Sequence, residues 1–314
     1  MGSLETTRPL LGPGTRPALW LEEVRACGVS MLALMRAALQ TFSLPAVRSF
    51  FSDLDDRDRL LSRLGWALVG VVPMFALLAY FVPGSIHTVS PWIKPIKFSM
   101  SFATYVWTAS LFFLFLKPPS WQATLARRAT AVSVIVEMFL LGMQAWRTAQ
   151  PYSTQRFPDS AMSQMVTAMV FVHTVVMVWI LVLCCGERAR TKLADHTLVA
   201  AIRDSVVIFL VGNAVGGYML ARGSHIVGAS EGGRGLPFVN WSVIAGDLRI
   251  AHFIAVHAIQ IVPLFACLLL QMTPIPALKR RRLAVFGVSA GVMLVVLATF
   301  VQAALGHPLL SVGR

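Results

Sequence analysis

Long apolar runs alternate with short polar connectors along most of this chain. A bilayer core about 30 Å thick is crossed by roughly 20 apolar residues in helical form. Seven runs meet that length: 64–83, 96–116, 129–147, 164–185, 204–221, 250–272 and 284–305. Breakers mark their ends. Pro83-Gly84 closes the first, Lys117-Pro118-Pro119 the second, Gly186-Glu187-Arg188 the fourth and Thr273-Pro274-Ile275-Pro276 the sixth. The pattern predicts an all-α integral membrane protein with a seven-transmembrane helix bundle over 61–307.

The flanks read differently. Residues 1–16 are rich in Pro, Gly and Thr and are expected to be disordered. In 17–60, Trp20, Leu21, Val24, Met31, Leu32 and Met35 recur at helical spacing, interrupted by Arg25 and Arg36. That spacing predicts an N-terminal amphipathic interfacial helix, with an eighth span over 26–47 as the alternative. Residues 308–314 form a short tail. The spans do not divide into two similar halves, which weighs against an inverted-repeat transporter.

Composition agrees. The chain is 56% hydrophobic and 13% charged, where a soluble protein carries about 25% charged residues. A net charge of +13 would point to nucleic acid in a soluble protein. Here the basic residues sit in alternate connectors, so membrane lipids and no nucleic acid are the expected surroundings. Arg57, Arg59 and Arg63 precede the first span, and Lys117, Arg127 and Arg128 follow the second. Arg188, Arg190, Lys192 and Arg203 follow the fourth, and Lys279 to Arg282 follow the sixth. The positive-inside rule makes that face cytoplasmic, with the N-terminus inside and the C-terminus outside. A bacterial inner (cytoplasmic) membrane is the expected location. Cys27, Cys184, Cys185 and Cys267 form no CxxC pair.

The candidate chemistry lies in the outer half. All histidines except His196 fall in or beyond it, and ionisable side chains at such depth are costly and commonly functional. In the sixth span Asp247 is placed to cap the helix. If that helix is continuous, Arg249, His252, His257 and Gln260 share an arc of roughly 140°. Glu137, Gln144 and Arg147 form a stripe on the third span. Lys97 heads a face with Ser101, Thr104 and Thr108 on the second, while Lys94 reads as an interfacial anchor. His173 and Asn213 lie within the fourth and fifth, and the glycines around Asn213 permit close helix approach. His87 and His225 belong to the outer loops. The loop 222–249, rich in Gly, Trp, His and Arg, is expected to fold as a cap rather than hang as a tether.

No HExxH, GxSxG, phosphate-loop or dinucleotide motif occurs. Several readings stay open. In a membrane redox protein, His173, His252, His257 and Glu137 would ligate haem b or a divalent metal, with Arg147, Arg249 and Lys97 around the cofactor. Gln144, Asn213, Gln260, Asp247, His225 and His87 would support them, and a redox or small-molecule partner would act at the external face. In a proton-coupled small-molecule transporter, Glu137, His173 and Asn213 would be the relay. That reading needs polar residues in the inner halves, which are almost wholly aliphatic in the fourth, sixth and seventh spans. A membrane-embedded enzyme acting on a lipid, and an assembly factor without chemistry, complete the set.

Reporter fusions test the topology. A fusion after Arg282 is expected to read cytoplasmic and one at the C-terminus external; the same side for both would reverse the assignment.

Overall fold

A computed structural model describes residues 43–82, 90–116, 119–149, 159–186, 195–271 and 277–311. The expectations for 1–42, for the possible eighth span and for His87 lie outside these residues. The helices are α1 (Leu44–Arg57), α2 (Arg59–Phe81), α3 (Ile93–Leu116), α4 (Ser120–Ala149), α5 (Asp159–Cys185), α6 (His196–Arg222), α7 (Arg249–Val256), α8 (Ala258–Gln271) and α9 (Leu278–Ala304). Taking α7 and α8 as one span, seven helices are long and apolar enough to cross a membrane. This is the seven-helix bundle that the hydropathy pattern predicts.

Consecutive spans pack side by side, and α6 touches α5, α7, α8 and α9. α3 and α6 are the inner helices, with 56% of their most apolar stretch buried in the protein, against 17% for α2 and 22% for α9. The remaining apolar surface of α2 and α9 is what a lipid environment covers.

Specific pins set the packing. Asp58 separates α1 from α2; its carboxylate accepts from Leu61 N at 3.3 Å and from Arg127 Nε at 2.6 Å, tying α2 to α4. A Cβ on Gly65 would collide with the Trp107 indole, so this glycine sets how closely α2 and α3 approach. Trp92, 1% exposed, donates its indole N–H to Val82 O at 3.1 Å and stacks on Phe75, fixing the entry to α3. At the basic end, Asp195 caps α6 through Thr197 N at 2.6 Å and pairs with Arg281 at 2.8 Å.

The sixth span departs from expectation. It is two helices meeting at His257, which has φ −85° and ψ −3°. There the turn tightens to a bond from Gln260 N to His257 O at 3.1 Å. The single polar arc assumed a continuous helix, so the break sends its residues to different neighbours.

Residues 223–248 fold over one end of the bundle. β1 (Ile226–Val227) pairs antiparallel with β2 (Gly246–Asp247), and a second bridge joins Gly235 to Ser242. Gly246 lies against the backbone of α9, where a Cβ would run into Ala303 O. Replacing Gly246 with alanine is therefore expected to lift β2 from α9 and cost about 1–3 kcal/mol. Unfolding in detergent measures it; a variant as stable as the parent would show that α9 does not hold the cap.

Candidate functional site

Under this cap lies a cavity of about 690 Å³. α3, α4, α5, α6 and the α7–α8 pair wall it, and cap residues His225, Glu231, Val239, Asn240 and Trp241 roof it. It descends to Tyr105, Glu137 and His173, near the middles of their helices. No lining residue comes from the basic half of the helices. Its lining is thus confined to the capped half of the bundle.

The cap and the mouth share one anchor. Asp247, 1% exposed, accepts from Ser242 N at 2.9 Å and from Arg249 N at 3.1 Å. It also holds the Arg249 guanidinium, with Nε at 2.9 Å and Nη2 at 2.6 Å. Arg249 Nη2 donates further to Asn240 O. The residue flanking the helix is Leu248, so Asp247 caps α7 from one position earlier than expected. His225 pairs with Glu231 at 3.2 Å on the roof. Burial, then the nearby Arg249, lowers the His225 imidazole below its ordinary range, against the pull of Asp247 and Glu231. A hydrogen bond from Ser224 does most to hold Glu231 below the usual carboxylate range; burial opposes it and His225 assists.

At the mouth, Lys94 Nζ donates to Gln144 Oε1 at 3.1 Å and Lys97 Nζ donates to Val239 O at 3.3 Å. Among the described residues no carboxylate lies within ion-pair distance of either lysine. At the floor, His173 Nε2 stands 3.5 Å from Glu137 Oε2, and His173 Nδ1 stands 3.4 Å from Ser133 Oγ. Tyr105 and Phe102 flank the imidazole. On the walls, His252 Nδ1 meets Gly212 O at 2.8 Å, in the tight contact where a Cβ on Gly212 would stand 2.7 Å from Ala255 Cβ. Across the cavity, His257 Nε2 meets Ser101 Oγ at 3.3 Å and Nδ1 meets Gln260 Oε1 at 3.3 Å.

The residues singled out from the sequence thus divide. Lys97, Glu137, Gln144, His173, Asn213, His225, Arg249, His252, His257 and Gln260 all line the cavity, and Asp247 braces its mouth. Asn213 bonds Thr174 Oγ1 at 2.8 Å. Arg147 does not join them; it lines a separate apolar groove between α2 and α4. His257 bonds to Ser101 and Gln260. Lys94, read as an interfacial anchor, and Ser101, read only as one of a row of hydroxyls, are the residues that sequence reasoning undervalued. The signal was present in their spacing from Lys97, which puts all three close to one face of α3.

A metal centre is not formed by this donor set. Among the described residues no group of three or more His, Cys, Asp or Glu could hold a metal ion. His257 engages both ring nitrogens, whereas among the described residues His173 and His252 each hydrogen-bond through Nδ1 alone.

No family model, curated protein or solved structure matches the chain. The fold and cavity define its class: a polytopic α-helical protein of membrane type with a deep cavity under a folded cap.

Asp247→Asn tests the anchor. It keeps the size but removes the charge that neutralises Arg249 and one acceptor, at an expected cost on the order of 3–5 kcal/mol. Hydrogen exchange should quicken at the amides of Ser242 and Arg249 first. Unchanged protection there would mean the cap stands without it.

Proposed function

We propose that the protein binds an anionic, lipid-like amphipathic molecule in this cavity, head at the mouth and tail toward the floor. The observation that carries the reading is the pair Lys94 and Lys97. Each donates to a neutral oxygen, and no carboxylate lies within ion-pair distance of either among the described residues. Lys97 is half-buried and Lys94 is exposed in the first turn of α3, so a headgroup bearing a phosphate or carboxylate finds two ammonium groups with hydrogens to spare. Arg249 adds little net charge, because Asp247 already neutralises it.

Size and walls agree. A volume of about 690 Å³ lies within the roughly 300–1,000 Å³ usual for small-molecule sites. Below the lysines, Phe98, Phe102, Leu141, Phe209, Val256 and Ile259 line the walls between the histidines and Asn213, an apolar surface that suits a hydrocarbon chain. Proton-coupled transport draws less support, since lining residues stop at mid-bundle and a relay needs a continuing path. A metal redox role draws less support, since no group of three or more His, Cys, Asp or Glu converges among the described residues. On the topology read from the basic connectors, the cavity faces outward.

Titration of the full-length protein in non-ionic detergent tests the reading. Oleoyl lysophosphatidate is expected to bind, and lysophosphatidylcholine with the same chain to bind more weakly. Replacing both lysines with methionine should cost the anionic ligand at least about tenfold in affinity, the worth of one charge-assisted hydrogen bond. It should leave the zwitterionic one unchanged. Equal loss for both, or none, would remove the lysines from recognition.

A further inference from the structure

We propose that Ser101, His257 and Gln260 form an acyl-transfer site that hydrolyses a carboxylic ester of the bound amphipath; this rests on the binding reading above. The first observation is where hydroxyl hydrogens go. Thr104, Thr108, Thr174, Ser205 and Ser289 each donate to a backbone carbonyl of their own helix, at 2.7–2.9 Å. That is the ordinary packing role of hydroxyls in a span. Ser101 Oγ instead meets the imidazole of His257 on another helix.

The second observation is the order of the contacts. The Gln260 carbonyl oxygen can only accept, so His257 Nδ1 carries the ring hydrogen. Nε2 is then the bare nitrogen and takes the hydrogen bond from Ser101. A nucleophile, a base and a group that orients the base thus stand in series, the arrangement by which a weak hydroxyl becomes reactive. Both contacts are 3.3 Å, loose in the way that substrate-free sites commonly are. The Phe253 ring lies 4.4 Å from the imidazole and is itself backed by Trp241, which limits rotation of the base. The helix break sets His257 between α7 and α8, facing α3. All three side chains line the cavity.

The third observation specifies the substrate. Lys97 lies one turn before Ser101 on α3, and four residues rise about 6 Å. An anionic group on Lys97 therefore puts a carbonyl a few bonds further along the molecule beside Ser101. A single-chain ester of a glycerol-like phosphate has that spacing, with its acyl tail running on toward Phe102 and Phe209.

The chemistry balances with water as the only co-reactant. Ser101 Oγ bonds to the carbonyl carbon while its proton passes to His257 Nε2. The ester C–O bond breaks, and the leaving alcohol takes that proton. Water then attacks the acyl-serine and gives a proton to Nε2. The bond to Oγ breaks, Ser101 recovers the proton, and the fatty acid departs. Water reaches the site from the mouth.

A long-chain fluorophosphonate tests this on the full-length protein in lipid vesicles. An adduct on Ser101 is expected by peptide mass spectrometry, forming faster as rising pH deprotonates the imidazole. Ser101→Ala should abolish it, and His257→Gln should slow it by on the order of 100-fold, the low end of general-base contributions. Binding of the ether analogue of oleoyl lysophosphatidate, which cannot be hydrolysed, reports whether each variant keeps its site. If the ether binds and Ser101 is not labelled, the hydrolytic role is overturned and the binding reading stands. If the ether does not bind the parent protein, the binding reading falls and takes this one with it. Labelling of Ser101 that is unchanged in His257→Gln and independent of pH would show that the histidine is only packing.

Discussion

A single buried carboxylate organises the functional end of this molecule. Asp247 belongs at once to the short strand pair, to the start of α7 and to the guanidinium at the mouth of the cavity. A charge buried to that degree is tolerable only when its lone pairs are filled, and here backbone and side-chain donors fill them from both sides. The result is that the cap, the first turn of α7 and Arg249 cannot move independently. His252 and His257 inherit their positions from α7, so the walls of the cavity are set by an interaction at its rim.

The bundle resolves two opposing demands. Close packing favours a filled interior, and the glycine contacts at Gly65 and Gly212 show it achieved between α2 and α3 and between α6 and α7. A cavity requires that some helices be kept apart on one side. The roof does this, since Lys97 reaches Val239 and Asn240 holds Arg249, while the basic halves close on aliphatic contacts. Two ion pairs, Asp58 with Arg127 and Asp195 with Arg281, lock the basic end across neighbouring spans.

Much of this was legible in the amino-acid order, because a bilayer imposes length and apolarity on every span. The seven helices follow from that constraint, and the enrichment of one half in polar side chains is read directly from where those residues fall in each span. Direction around each helix was less legible. Arg147 is ten residues past Glu137, which turns it about 80° away, and it lies in the groove beside α2. The arc drawn through His252 and His257 presumed regular geometry across a position where the helix breaks, so the two imidazoles take partners on α6 and α3. Metal ligation presumed convergence of donors, whereas among the described residues no three of them come together. Ser101 looked like its hydroxyl neighbours because sequence does not record where a hydrogen points.

The pair at the floor sets the polar profile of the cavity. Ser133 gives its one hydrogen to Thr130 O, so its oxygen receives the hydrogen on His173 Nδ1. His173 Nε2 then faces Glu137 Oε2 at 3.5 Å, and neither atom has a hydrogen-bond partner among the described residues. The polar groups least engaged by the protein thus stand at the two ends, lysines at the rim and an imidazole beside a carboxylate at the floor. Whatever fills the cavity meets a cationic rim first and that unspent pair last.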